Sequence, residues 1–250
     1  MPIMKSIIKI SLSFCLAIIT LQSCASIGSA KEKILGNGDI TTKQITTGDY
    51  DEVKVHGIMD VRLQKGTEGD ISLKTDENLF QYLDVFVDGN ALVIRVKKGF
   101  SLKTDFGIKI TVPFEDLSKV SLAGSGDITS SDIIETSDFE VNLAGSGDIK
   151  LRVNAREINS NIAGSGDVHL KGACRKLNAD LAGSGDLHGL DLKCEIADLN
   201  IAGSGDMKVN TSENIKVRIA GSGDVEYLGK PKNVDKKVIG SGTVKTYQID

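Results

Sequence analysis

Six aspartates in the second half of the chain each follow the same three residues. Gly-Ser-Gly-Asp begins at Gly124, Gly145, Gly164, Gly183, Gly203 and Gly221, which places Asp127, Asp148, Asp167, Asp186, Asp206 and Asp224 at intervals of 18 to 21 residues. A seventh copy, at Gly240, ends in Thr243. A carboxylate recurring at such spacing has two chemistries open to it. It could collect cations, as glycine-aspartate repeats do in calcium-loaded β-rolls. It could instead cap a turn, accepting hydrogen bonds from the backbone N–H groups of its own glycine turn or from the neighbouring serine. Calcium takes six to eight oxygens, and one carboxylate per repeat supplies too few. Thr243 is a passable cap but a poor calcium ligand. Capping is therefore the expected role of all six, and neither a metal nor a cofactor is expected.

The other reactive side chains are few. His169 and His188 stand two residues after Asp167 and Asp186 and should be surface neighbours in adjacent repeats. An incidental metal contact is within their reach, but a solvated polar column is the plainer reading. His56 stands alone beside a glycine and reads as structural. No histidine recurs beside the motif serines to act as a base, so nucleophilic catalysis is not expected. The glycine-serine turns lack the lysine and following helix of a phosphate loop. Cys174 and Cys194 each lie nine residues before a motif glycine, in a column otherwise holding Thr136, Ala155, Ser212 and Pro231. Stacked repeats would bring their Cα atoms to about 5 Å, within disulfide reach. Two small buried thiols filling a narrow corner would fit that column equally well.

The elements that must carry these residues are strands. Apolar residues stand two, four and six positions before the first glycine, as in Phe139, Val141, Leu143 and again in Ile215, Val217, Ile219. They resume after each turn at Ile128, Ile149, Val168, Leu187, Met207, Val225 and Val244. Polar residues such as Asn142, Asn161, Asp180, Asn200 and Arg218 alternate with them, a period-two pattern with one buried face. The paired glycines (124 and 126, 145 and 147, 164 and 166, 183 and 185, 203 and 205, 221 and 223, 240 and 242) let the chain reach positive φ and turn sharply. Written out, the second members are Gly126, Gly147, Gly166, Gly185, Gly205, Gly223 and Gly242. Near-identical units of about 19 residues stack most simply as one coil each, roughly 4.8 Å apart. The fold class is thus an all-β parallel β-helix. Residues 121–250 form its regular coils and 36–120 less regular ones, whose larger aromatic side chains should close the exposed end of the core.

The first residues have another purpose. Lys5 and Lys9 precede the apolar run from Ile10 to Leu21, too short to span a membrane. Leu21-Gln22-Ser23-Cys24 follows, with the form of a bacterial lipobox. Residues 1–23 are expected to be a signal peptide, Cys24 to carry lipid, and 24–35 to tether the head, 36–250, to a membrane. The net charge of −4 argues against nucleic acid as a partner.

Several stretches resemble a known family. Val53-Lys54-Val55-His56-Gly57, Asp60-Val61, Leu73 to Leu79, Asp88 to Ile94 and Ile110-Thr111-Val112-Pro113, together with the Gly-Ser-Gly series, are similar to the head GIN domain of auto-transporter adhesins. The resemblance implies a right-handed β-helix in the cell envelope, with adhesion proposed for the family and no agreed catalytic residues. Two readings follow. One is a non-enzymatic envelope lipoprotein, held at the outer membrane and facing the periplasm or the outside, whose β-helical face meets a protein or glycan partner. The other is a carbohydrate-active or carbohydrate-binding β-helix with its site on the N-terminal coils, near Asp84, Asp88, Lys97, Lys98 and Lys103.

Overall fold

The structure, a computed structural model, describes residues 31–248. The expected signal peptide, Cys24 and the first part of the expected tether lie outside the described residues. Among those described, strands run as β1 (Glu32–Leu35), β2 (Ile40–Thr46), β3 (Glu52–Gly57), β4 (Asp60–Lys65), β5 (Asp70–Asp76), β6 (Leu83–Asp88), β7 (Ala91–Val96), β8 (Phe100–Lys103) and β9 (Lys109–Phe114). They continue as β10 (Lys119–Gly124), β11 (Ile128–Gly145), β12 (Ile149–Gly164), β13 (Val168–Gly183), β14 (Leu187–Gly203), β15 (Met207–Gly221), β16 (Val225–Leu228), β17 (Asn233–Gly240) and β18 (Val244–Thr246). One 3-10 turn, Glu77–Tyr82, follows β5. The chain is a parallel β-solenoid of about seven turns.

From β11 to β15 each strand wraps round one coil and pairs in parallel with the next. The motif sets the register: Gly145 lies on Gly164, Gly164 on Gly183, Gly183 on Gly203 and Gly203 on Gly221. From β11 to β15, Phe139, Val141 and Leu143 point inward with their equivalents, Ser160 being the one polar member, and form one continuous core. A slip of one residue would turn that apolar set outward, so the pattern enforces the register.

A Cβ on either glycine of the motif would overlap a backbone carbonyl of the preceding coil, but only one of the two also needs its φ. The first, such as Gly183 at φ +137°, occupies backbone that a side chain rarely adopts. The second does not: Gly185 lacks a positive φ, but a Cβ there would overlap the carbonyl oxygen of Gly166 in the preceding coil. Its absence of a side chain serves stacking, not turning. The coils are tied there by paired donors, since Gly164 O accepts from both Ser184 N–H (2.8 Å) and Gly185 N–H (3.1 Å).

The N-terminal half departs from the expected run of worn coils. The β3–β4 rung carries β10 and β11 on one side and β7 and β9 on the other, all in parallel. The chain therefore leaves that rung, builds the end of the solenoid, and returns past it to lay β10 on β3. Antiparallel pairs β2–β5, β5–β9 and β6–β7 close the end. β1 pairs with β8, so Glu32–Leu35 belongs to the head and not to the tether, which corrects the expected boundary. Of the aromatics, Tyr50 and Phe114 are fully buried in the cap, and the Tyr50 hydroxyl donates to the Pro113 carbonyl. Phe80, Phe86 and Phe106 are only half-buried, roofed by Lys43 (4.4 Å), Arg95 (5.2 Å) and Lys109 (4.7 Å). The cap is thus closed by antiparallel strands as much as by bulk.

Candidate functional site

The aspartate column assembles, with partners other than those expected. Each carboxylate reaches across to the next coil, not to its own turn or to the serines. Oδ1 of Asp127 accepts from Asp148 N–H (3.0 Å), Asp148 from Asp167 (3.2 Å), Asp167 from Asp186 (2.9 Å), Asp186 from Asp206 (2.7 Å) and Asp206 from Asp224 (2.7 Å). Asp224 takes both the N–H (2.7 Å) and the hydroxyl (2.9 Å) of Thr243, which ends the series. Asp60 begins it by accepting from Asp127 N–H at 3.3 Å. Neighbouring carboxylates a coil apart repel by roughly 1 kcal/mol in water. A charge-assisted hydrogen bond contributes about 1.5–3 kcal/mol, so the ladder is favourable as built. Burial alone would raise the Asp148 carboxyl; the hydrogen bonds from Lys150 and Asp167 N–H and the nearby positive charges hold it below its ordinary range.

Beside this ladder runs a second column. His169 pairs with His188 in register, and their rings stack at 4.2 Å between centroids. His188 Nε2 lies 3.8 Å from Asp167 Oδ2. Burial, then the charges of His188 and Lys150, keep His169 below the usual imidazole range. His56 is exposed on β3, opposite Ala123 and Arg95. Cys174 and Cys194 face each other with Cα atoms 4.8 Å apart and form a disulfide between β13 and β14. A register shift after Cys194 puts Thr211, not Ser212, next in that column, fully buried and donating to the Glu195 carbonyl.

The five residues considered for a carbohydrate site serve other ends. Asp84 is ion-paired with Arg95 at 3.0 Å across the β6–β7 hairpin. Asp88 is at the far end of β6, four residues or roughly 13 Å along the strand. Lys97 and Lys98 are exposed in the turn after β7, and Lys103 borders a small cavity with Asp76 and Thr104. No pair of carboxylates converges among them.

A surface feature passes unnoticed in the sequence. The alanine before each motif points outward, so Ala144, Ala163, Ala182, Ala202 and Ala220 form an exposed apolar floor across five coils. Along one side stands a rim of polar residues, joined where Asn161 donates to Asn142 (2.8 Å) and Asn200 to Asp180 (2.8 Å). Arg218, Lys237 and the exposed Ile239 mark its C-terminal end. The resulting groove measures about 710 Å³. The signal is legible in retrospect: alanine recurs at a position that the alternation assigns to the outside.

Comparison with known proteins fits this architecture. A crystal structure from Bacteroides fragilis NCTC 9343, named a "putative adhesin", matches with a TM-score of 0.80 at 20% identity over 86% of this chain and 100% of that one. One from Parabacteroides distasonis ATCC 8503, named a "putative lipid binding protein", matches with a TM-score of 0.72 at 28% identity over 87% and 100%. A "putative adhesin" from Parabacteroides merdae ATCC 43184 gives 0.64 at 21% identity over 87% and 100%. None of these names is that of an enzyme, and no curated protein matches the chain. Residues 49–231 match the family model described as "Putative auto-transporter adhesin, head GIN domain", and the chain belongs to that family.

Proposed function

We propose that this protein is a non-enzymatic adhesin of the cell envelope, held to a membrane by lipid on Cys24, that grips a protein partner along the alanine-floored groove. The continuity of that groove over five coils carries the reading. A flat apolar floor with an amide rim suits an extended protein segment, which offers small apolar side chains and backbone groups together. Lys237 favours an acidic residue at one end of that segment, where Arg218 is already paired with Asp235. A glycan partner is less suited, because the groove residues include no aromatic platform. An acyl chain, suggested by the name of the Parabacteroides distasonis relative, would lie half in water on so open a floor.

The test is adhesion of intact cells to immobilised host or bacterial surface proteins, glycans and fatty-acid-coated beads. Ala182→Glu with Ala202→Glu should cut adhesion to a protein-coated surface at least tenfold while leaving the melting temperature unchanged. Protease shaving of the same cells should release the head. Adhesion indifferent to the floor variants, binding confined to the glycan or fatty-acid arm, or a head protected from protease would overturn the reading.

A further inference from the structure

We infer that Asp167, His169 and His188 form a binding site for a divalent transition-metal ion of the zinc, nickel or copper class. The three side chains offer donor atoms that all lie within 4.8 Å of one another, the one such group among the described residues. The sheet register, not chance rotamers, brings them together: His169 and His188 are partners on β13 and β14, and Asp167 begins the same coil as His169.

The aspartate ladder explains why a carboxylate oxygen is available here. Asp167 spends Oδ1 on the Asp186 N–H at 2.9 Å, which fixes the carboxylate plane. Its Oδ2 is turned to His188 at 3.8 Å, too far for a hydrogen bond. One coil earlier the equivalent oxygen of Asp148 is taken by Lys150 Nζ at 3.0 Å. Where lysine gives way to histidine the second oxygen has no such partner, and two imidazoles stand over it. The flanking lysines do not crowd the place with unpaired charge, since Lys150 is held by Asp148 and Lys208 by Glu226 at 3.5 Å.

Two imidazoles and one carboxylate suit zinc-class ions; calcium and magnesium want oxygen donors in greater number. Tetrahedral donors at about 2.1 Å from a metal lie about 3.4 Å apart, and small rotations of these half-exposed side chains close the difference. Three protein ligands leave the fourth position open to water or to a donor from a partner. A bound ion would also tie β13 to β14, linking the two coils that the disulfide already joins a second time.

Zinc titration of metal-stripped protein by calorimetry, followed by imidazole resonances in NMR, decides the matter. The expected result is one equivalent bound with a Kd near or below about 10 μM, weakened at least about tenfold in His169→Ala and in His188→Ala, with calcium and magnesium inert. Zinc-induced shifts in the unaltered protein should be confined to the rings of His169 and His188, a readout independent of how the variants fold. Binding weaker than about 1 mM, equal affinity in the His169→Ala/His188→Ala double variant, or shifts at His56 alone would overturn the assignment.

Discussion

Between β11 and β15 each strand takes 15 to 18 residues and meets its neighbour through the same side chains every time. Between β1 and β9 strands are four to seven residues long, and three of the pairings run antiparallel. The regular coils are stabilised by repetition: a glycine meets a glycine, an aspartate meets an aspartate, and any change is felt by the coil on either side. The cap is stabilised by particular contacts made once, such as the carboxylate of Asp76, which accepts from the Thr104 hydroxyl and from Gly38 N–H. The same residue type therefore has different consequences in the two regions.

Glycine shows this most sharply. Gly185→Val should cost more than about 3 kcal/mol, because the new Cβ would overlap backbone that the stacked coils prevent from moving. Gly89, in the two-residue turn of the β6–β7 hairpin, has φ +65°, and a methyl group on its Cα would meet nothing within 4 Å. Gly89→Ala meets only backbone strain and should cost about 1 kcal/mol. Urea unfolding of both variants checks the difference; equal losses would mean that the coils yield to the added side chain and that stacking does not set the cost at Gly185. Next in size is the disulfide. Replacing Cys174 and Cys194 by alanine opens a link between residues 20 apart in sequence and should cost about 2–3 kcal/mol, read from the same unfolding curves.

How much of this the sequence announces follows the same division. Strict alternation and the tetrapeptide spacing specify strands, inward faces and coil register from Lys119 onward, because each coil repeats one local rule. They cannot specify the route of the first half. β10 lies on β3, 67 residues earlier, and nothing local in Lys119 to Gly124 names that partner over β9. The aspartates read as caps of their own turns, but a repeat cannot distinguish a bond within a turn from one to the equivalent residue a coil away; only the 4.8 Å stacking geometry does. The task of the second glycine is hidden for a related cause, since a clash with the coil below has no trace in the turn's own residues. His169 and His188 are recognisable as neighbours, whereas the free oxygen of Asp167 follows only from the ladder.

Carboxylates make the comparison at smaller scale. In the cap, the Thr104 hydroxyl and then the Gly38 N–H hold Asp76 below the usual carboxylate range. A depressed folded pKa contributes stability that is complete above the unfolded value near 4 and is lost as pH falls through the folded one. Asp76→Asn should therefore destabilise by about 1–2 kcal/mol at pH 7, with the gap to the unaltered protein narrowing below about pH 4. Denaturant midpoints across that range test it, and a gap constant with pH would contradict it. In the ladder, Asp186→Ala strands the Asp206 N–H and should cost about 1 kcal/mol. Asp186→Asn keeps an acceptor oxygen, relieves repulsion along the column, and should stay within about 0.5 kcal/mol.

That the repeated motif is a stacking device and not a calcium site is tested most directly by thermal unfolding of the metal-stripped, unaltered protein with and without added calcium. The account predicts the same melting temperature in both, with Asp186→Asn equally indifferent. A calcium-dependent rise that grows with the number of intact aspartates, and that Asp186→Asn diminishes, would contradict it.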